Sequence, residues 1–220
     1  MSLTLYYHPL SSFCQKTLIA LYEGDLAFEP RLTNLGDPGH RAELGAKWPL
    51  LKFPVLHDSA QQRDIPETSI IIEYLDRLLP PERRLIPADS DAALEVRLWD
   101  RFFDCYVNHP MQQIVGDARM DRATDRSSER AMLRTAYAMI DTRLSERRWA
   151  GGKRFSLADC AAAPSLFYAT TIEAIPDGCR HAHAYFDRLF DRPTIKRVID
   201  EARPYFDLYP LAEAIPQRFR

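Results

Sequence analysis

The stretch from Leu3 to Leu21, LTLYYHPLSSFCQKTLIAL, constrains the fold more than any other part of the sequence. Leu3, Leu5 and Tyr7 alternate with Thr4 and Tyr6, a period-two pattern that predicts a strand. Pro9 ends the ladder because it has no N–H to donate. Cys14, Thr17, Leu18 and Leu21 then recur at i, i+3, i+4 and i+7, the spacing of one helix face. Ser11 and Ser12 stand where an N-cap belongs. The first N–H groups of a helix are unpaired and its dipole adds partial positive charge, so this turn is suited to an anion. A thiolate held there has a depressed pKa. The residues leave two readings of Ser11-Ser12-Phe13-Cys14 open: a site that makes or holds a thiolate, or a plain helix cap above a buried Cys14.

The chain has 220 residues, of which 46% are hydrophobic and 27% charged, enough to build a core in one or two domains without disulfide staples. A net charge of −2 gives no electrostatic footprint for nucleic acid. No apolar run approaches the roughly 20 residues that span a bilayer, so no membrane partner is expected. The opening MSLTLYY lacks a charged region followed by an apolar one, so no secretory leader is expected. Cys14, Cys105, Cys160 and Cys179 are widely spaced with no C-x-x-C among them, which fits a reducing, cytoplasmic setting. Cys179, His181 and His183 do not match a common zinc spacing, and no metal is expected. G-x-G-x-x-G, P-loop and G-x-S-x-G motifs are absent.

Beyond the first helix, Glu23-Gly24-Asp25 reads as its end, and Ala27 to Arg31 as a second strand that Pro30 confines to an edge. Strand, helix, strand implies a parallel, right-handed crossover. Residues 33–44 read as loop with a short helix near His40 to Leu44. Phe53 to Leu56 and Arg63 to Ile65 read as two arms of a hairpin, and Ile70 to Leu78 as an amphipathic helix capped by Glu67-Thr68-Ser69. Pro80-Pro81 and the polar run after it read as a linker. From there the pattern is helical. Leu94, Leu98 and Phe102, flanked by Trp99, Phe103 and Tyr106, predict a helix covered over much of its girth and kinked at Pro110. Leu133 to Leu144 predicts another. Ser156 with Asp159 predicts a capping box, opening a nearly all-apolar helix that runs toward Ile175 as the centre of a bundle. A last helix is predicted from Pro193 to Ala202, with an irregular tail beyond it. The fold class is therefore α/β plus all-α: a small domain over 1–80, a linker over 81–88 and a helical domain over 89–220.

Three pieces, YYHPLSSFCQKTLIAL, FPVL followed by ETSIIIEYLD, and FSLADCAAAPSL, resemble the cytosolic glutathione transferase family in order and spacing along essentially the whole chain. The resemblance implies a thioredoxin-like N-terminal domain followed by a helical-bundle C-terminal domain. Ser11 matches the catalytic serine of theta- and zeta-like classes and the catalytic cysteine of omega-like ones. Glutathione itself is the implied nucleophile, with no metal, and the Ser11 hydroxyl would donate to its sulfur. Ser12 is the neighbouring alternative. Pro54 matches the family's cis-proline and would turn the Val55 backbone toward the ligand as if to add a strand. Glu67 would meet the γ-glutamyl ammonium, Thr68 its carboxylate, and Lys52 and His40 the glycyl carboxylate.

The same resemblance implies that an electrophile binds between the domains, near Leu10, Phe13, Phe102, Tyr106, His109 and Met111. It further implies a homodimer with a detoxifying role. Cys14 matches the second cysteine of a thioredoxin C-x-x-C whose first member is Ser11 here. It is a candidate redox thiol for an alternative, glutathione-dependent thiol–disulfide reductase. A non-catalytic binding module on the same fold is the alternative of a different class.

Overall fold

The structure, a computed structural model, describes residues 2–220, which divide into two compact units meeting at Leu85 and Ile86. The first unit holds β1 (Leu3–Tyr7), α1 (Ser12–Glu23), β2 (Glu29–Leu32), α2 (Pro38–Lys47), β3 (Val55–Asp58), β4 (Arg63–Pro66) and α3 (Thr68–Asp76). The sheet order is β2-β1-β3-β4, with β2 parallel to β1 and the other pairs antiparallel. β2 carries Pro30 at the edge, where a missing N–H costs no ladder bond. Strand alternation assigns the two faces. Tyr6 and Val55 pack with Leu44 of α2, flanked by Leu35, Trp48 and Phe53. Leu5 and Leu56, also fully buried, project from the opposite side of the pleat. α3 packs on α1 and on β3 and β4.

α1 departs from the amphipathic expectation. Besides Cys14, Thr17, Leu18 and Leu21, the structure buries Gln15 and Lys16 to 1% exposure each. Lys16 is accommodated by donating from Nζ to Ser69 Oγ at 3.0 Å, and Gln15 Nε2 donates to Pro9 O at 2.8 Å. α2 is longer than the short helix expected, because Asp37 caps it through His40 N–H at 2.9 Å and Pro38 opens it. The segment after Pro80 is not a free linker. It makes a single 3₁₀ turn at Pro81–Arg83, and buried Leu85 is tied to α3 by Asp76 Oδ1, which accepts its N–H at 2.8 Å.

The second unit contains α4 (Ser90–Phe102), a π-helical segment (Phe103–Asn108), α5 (His109–Arg119), α6 (Ser127–Leu144), α7 (Leu157–Ala169), α8 (Arg180–Phe190), α9 (Pro193–Ala202) and a tail of 3₁₀ turns. Pro110 does not simply kink the helix. It lacks an N–H and would crowd the carbonyl four residues back, and the winding before it widens, so that His109 N–H bonds to Asp104 O five residues earlier. The apolar stripe of α4 is also corrected. Ala93, Val96, Trp99 and Phe103 are buried, whereas Leu94 and Leu98 on the adjoining face are 66% and 57% exposed. Every residue of α7 is buried, as expected of a bundle centre, but the helix stops at Ala169 rather than reaching Ile175. α8 was not anticipated. Its signal was present in Ala182, Tyr185, Phe186, Leu189 and Phe190, and Asp141 of α6 caps it by accepting from His181 and Ala182 N–H at 2.7 and 3.0 Å.

Asp159 is the polar centre of this unit and is fully buried. Its Oδ2 accepts from the N–H and hydroxyl of Ser156, each at 2.9 Å. Its Oδ1 accepts from Ala150 N–H at 2.9 Å and Tyr185 O–H at 2.6 Å. One carboxyl thus joins the start of α7, the 149–152 turn and α8. Removing it strands several donors where water cannot reach them. Asp159→Ala is expected to destabilise the protein by about 3 kcal/mol or more, read as a lowered denaturant midpoint at unchanged slope.

Candidate functional site

Strand polarity brings the predicted site segments to one end of one sheet. β1 ends at Tyr7, whose neighbour Tyr6 is in register with Val55 at the start of β3. Val55 in turn faces Pro66 at the end of β4, and Tyr7 faces Leu32 at the end of β2. The connections that leave this end therefore carry His8 to Ser11, residues 33–37, the Phe53–Pro54 approach to β3, and Glu67-Thr68. Two contacts tie them together. The rings of His8 and Phe53 stack with centroids 6.3 Å apart. Lys16 bridges α1 to Ser69 at the start of α3.

The turn before α1 is held by its own atoms. Ser11 N–H donates to His8 O at 3.0 Å, and Leu10 N–H to His8 Nδ1 at 3.2 Å. Ser11 is the N-cap, its Oγ accepting from Cys14 N–H at 3.3 Å. Ser11 is half-buried and Ser12 is 3% exposed. Cys14 is fully buried, and burial pushes its thiol up to about 12, against smaller opposing contributions from Ser11 and the His8 backbone. The depressed thiolate that a helix N-terminus suggests is not found at Cys14, because desolvation outweighs the dipole.

The Phe53–Pro54 peptide is cis. Val55 does not suit the role expected of it. It is fully buried, on a strand with β1 on one side and β4 on the other, so its backbone has no open edge. Phe53, half-buried and just outside the ladder, is the nearer residue with backbone not committed to a strand. Sequence reading missed it because strand limits are not visible in FPVL alone.

Glu67 is exposed and has φ +67°, a conformation that side-chain-bearing residues seldom adopt. It caps α3 without a side-chain bond, and buried Thr68 is the first residue of that helix. Lys52 is exposed; His40 is half-buried, with Nδ1 accepting from Asn34 N–H at 3.2 Å. Leu10 and Phe13 are half-buried. Of the residues expected to face an electrophile from the helical unit, Tyr106 and His109 are exposed, but Phe102 and Met111 are buried. Phe102 belongs to an aromatic cluster with Trp99, Phe103 and Tyr106, at centroid distances of 4.7, 5.6 and 5.6 Å.

Comparison with known proteins yields two family matches: Glutathione S-transferase, N-terminal domain, over residues 5–83, and Glutathione S-transferase, C-terminal domain, over residues 117–188. Among curated relatives, Glutathione S-transferase-like protein LUC7 of Fusarium sp. is 31% identical over 131 residues, which cover 58% of this chain and 59% of that protein's length. FtsZ-localized protein A of Caulobacter vibrioides is 28% identical and covers 91% of this chain and 92% of its own. Among solved structures, a glutathione S-transferase from Rhodospirillum rubrum F11 superposes with a TM-score of 0.77 at 25% identity, covering 90% of this chain and 91% of that one.

With its thiol pushed up to about 12, Cys14 carries only about one thiolate in ten thousand at pH 8. Cys105 is exposed. Iodoacetamide on the native protein at that pH is expected to label Cys105 and to spare Cys14, as read by peptide mass mapping. Comparable labelling of both would show that the α1 turn opens readily.

Proposed function

The chain belongs to the glutathione S-transferase family, and on that footing we propose that it is a transferase joining the thiol of glutathione to an electrophilic small molecule. The observation that carries the reading is the convergence at one sheet end of a capping hydroxyl, the cis-proline approach to β3 and the start of α3. Ser11 Oγ uses a lone pair on Cys14 N–H, which leaves its hydrogen to be given to the glutathione sulfur. A hydrogen bond to the thiolate favours the charged form and lowers the thiol pKa. Ser12, buried inside α1, is the poorer candidate for that contact.

In this reading the backbone of Phe53 pairs with the cysteinyl segment of glutathione in the manner of an added strand. Glu67 meets the γ-glutamyl ammonium, and the Thr68 hydroxyl with the α3 N-terminus meets its carboxylate. Lys52 and the free Nε2 side of His40 serve the glycyl carboxylate. Leu10 and Phe13, half-buried on either side of Ser11, are the first unit's side chains that face the electrophile. A reductase working through Cys14 is disfavoured by the burial of that thiol. A second reading, a binding module without turnover, is favoured by the likeness to a relative named for its localisation with FtsZ. A cytoplasmic, detoxifying homodimer completes the proposal. A second copy would cover apolar side chains left exposed, Ile70 on α3 and Leu94 and Leu98 on α4.

The deciding experiment is a pH titration of the thiolate absorbance of bound glutathione. The wild type is expected to lower the thiol pKa, and Ser11→Ala to restore that of free glutathione with a loss in kcat of about a hundredfold, whereas Cys14→Ala keeps the shift. Binding with an unshifted thiol in the wild type would favour the binding module. For the dimer, Leu98→Glu is expected to shift sedimentation from two copies to one, and a wild type that sediments as one copy would overturn it.

A further inference from the structure

The turn between α6 and α7 gathers positive charge that the fold itself does not use. Trp149 and Gly152 close the turn, Trp149 N–H donating to Gly152 O at 3.0 Å and Gly152 N–H to Trp149 O at 2.9 Å. Arg147 and Arg148 lead into this bridge and Lys153 and Arg154 lead out of it, all four exposed. Two guanidiniums from the end of α8 and just beyond it lie against the same turn. That of Arg188 sits 5.8 Å from the centre of the Trp149 ring and donates from Nη1 to Arg148 O at 2.5 Å. That of Arg192 lies 4.1 Å from the centre of the Phe155 ring. Among the described residues, no carboxylate forms an ion pair with Arg147, Arg148, Lys153 or Arg188. The acids beside Arg188 and Arg192 in sequence face other cations, Asp187 meeting Arg218 at 2.9 Å and Asp191 lying 3.8 Å from Lys196. The backbone beneath is fixed: Ala150 N–H donates to Asp159 at 2.9 Å, Ala150 O accepts from Arg143 Nε at 3.0 Å, and the Trp149 and Phe155 rings meet edge-on. Like charges held this close on facing arms repel and destabilise.

We propose that this turn is a docking surface for an acidic, extended segment of a partner protein, a run of Asp and Glu. All of its cations but Lys153 are arginines, whose planar fork pairs with a carboxylate through two hydrogen bonds at once. The surface has no apolar grip. Trp149, Ala150 and Phe155 are buried, so nothing here can enter a bilayer or stack on a base. Its size points the same way. The net charge of −2 already counts these cations, so the rest of the chain is acidic. A segment of a few residues can stay on the turn, whereas a long duplex or a membrane plane would extend over surface that repels it. The rigid turn displays its guanidiniums in place, so the partner alone loses conformational freedom on docking. The surface belongs to the second unit and does not depend on the transferase reading.

The test is fluorescence anisotropy of a rhodamine-labelled decaglutamate peptide titrated with the full chain. The peptide is expected to bind at low salt and to weaken as salt is raised. Arg147→Glu, Arg148→Glu and Lys153→Glu together are expected to cut the affinity at least about tenfold. Arg63→Glu, Arg119→Glu and Arg122→Glu, exposed cations elsewhere, give the same net charge and are expected to leave the affinity within about twofold. Equal losses in the two sets would be a response to net charge alone and overturn the proposal. A wild type that ignores decaglutamate overturns it too. If that wild type sediments with vesicles of phosphatidylcholine and phosphatidylserine, or binds a DNA duplex, the surface belongs to that polyanion instead. Arg147→Gln, Arg148→Gln and Lys153→Gln together separate docking from folding. They are expected to lose the peptide yet melt no lower than the wild type, because these side chains pair with nothing within the described residues. A lower melting midpoint would assign the charge to the fold and overturn the proposal.

Discussion

Everything in the first unit hangs on β1 having a partner on each side with opposite polarity. It runs parallel to β2 and antiparallel to β3, and β3 is antiparallel to β4. The ends of β1, β2 and β4 and the start of β3 therefore lie together. Were β3 parallel to β1, the cis-proline approach would open at the far end of the sheet from Ser11. The register does the rest, since each pairing is fixed by which side chains reach the core on each face. Tyr6 and Val55 meet α2 on one face, and a slip of one residue would drive Leu5 and Leu56 into their places.

The second unit solves a different problem, a central helix with no exposed side. α7 cannot satisfy its own N-terminal N–H groups from solvent, because Leu157 onward is buried. The Ser156 side chain accepts from the N–H of Asp159, and Asp159, from inside the helix, returns its carboxylate to the N–H of Ser156. The carboxylate's ordinary preference for water is offset by four donors, and desolvation still pushes it above the usual range. Arg126 is the counterpart at the surface of the bundle, a cation between two carboxylates whose spare donor reaches an amide. Both clusters show a charged group made useful by how completely its partners are specified.

Much of the fold could be read in the sequence because periodicity and caps are local. The strand before Pro9, the helix after Ser11, the edge strand at Pro30 and the cap at Ser156 each depend on residues within a few positions of one another. What escaped depends on distant atoms. Lys16 looks like a solvent-facing residue until Ser69, in another helix, takes its ammonium. Leu94 and Leu98 look like core until the bundle is seen to grip α4 by the neighbouring face. Val55 looks available to a ligand until β3, which begins at Val55, is found between β1 and β4. The Ser11 turn was legible as a cap above a buried Cys14, one of the two readings the residues left open, and desolvation decides between them because it depends on what lies above and below the residue.

The far end of the sheet carries the tight turn between β3 and β4, where Ser59 to Gln62 are exposed. Asp58 and Ser2 tether it: Asp58 Oδ1 accepts from Ser2 Oγ at 3.0 Å and from Ala60 N–H at 2.9 Å. Every segment gathered around Ser11 leaves the sheet from the other end. This turn is thus insulated from the chemistry by the full length of the strands. A reporter peptide or affinity tag grafted at Gln61 would ride on the protein without entering its working face.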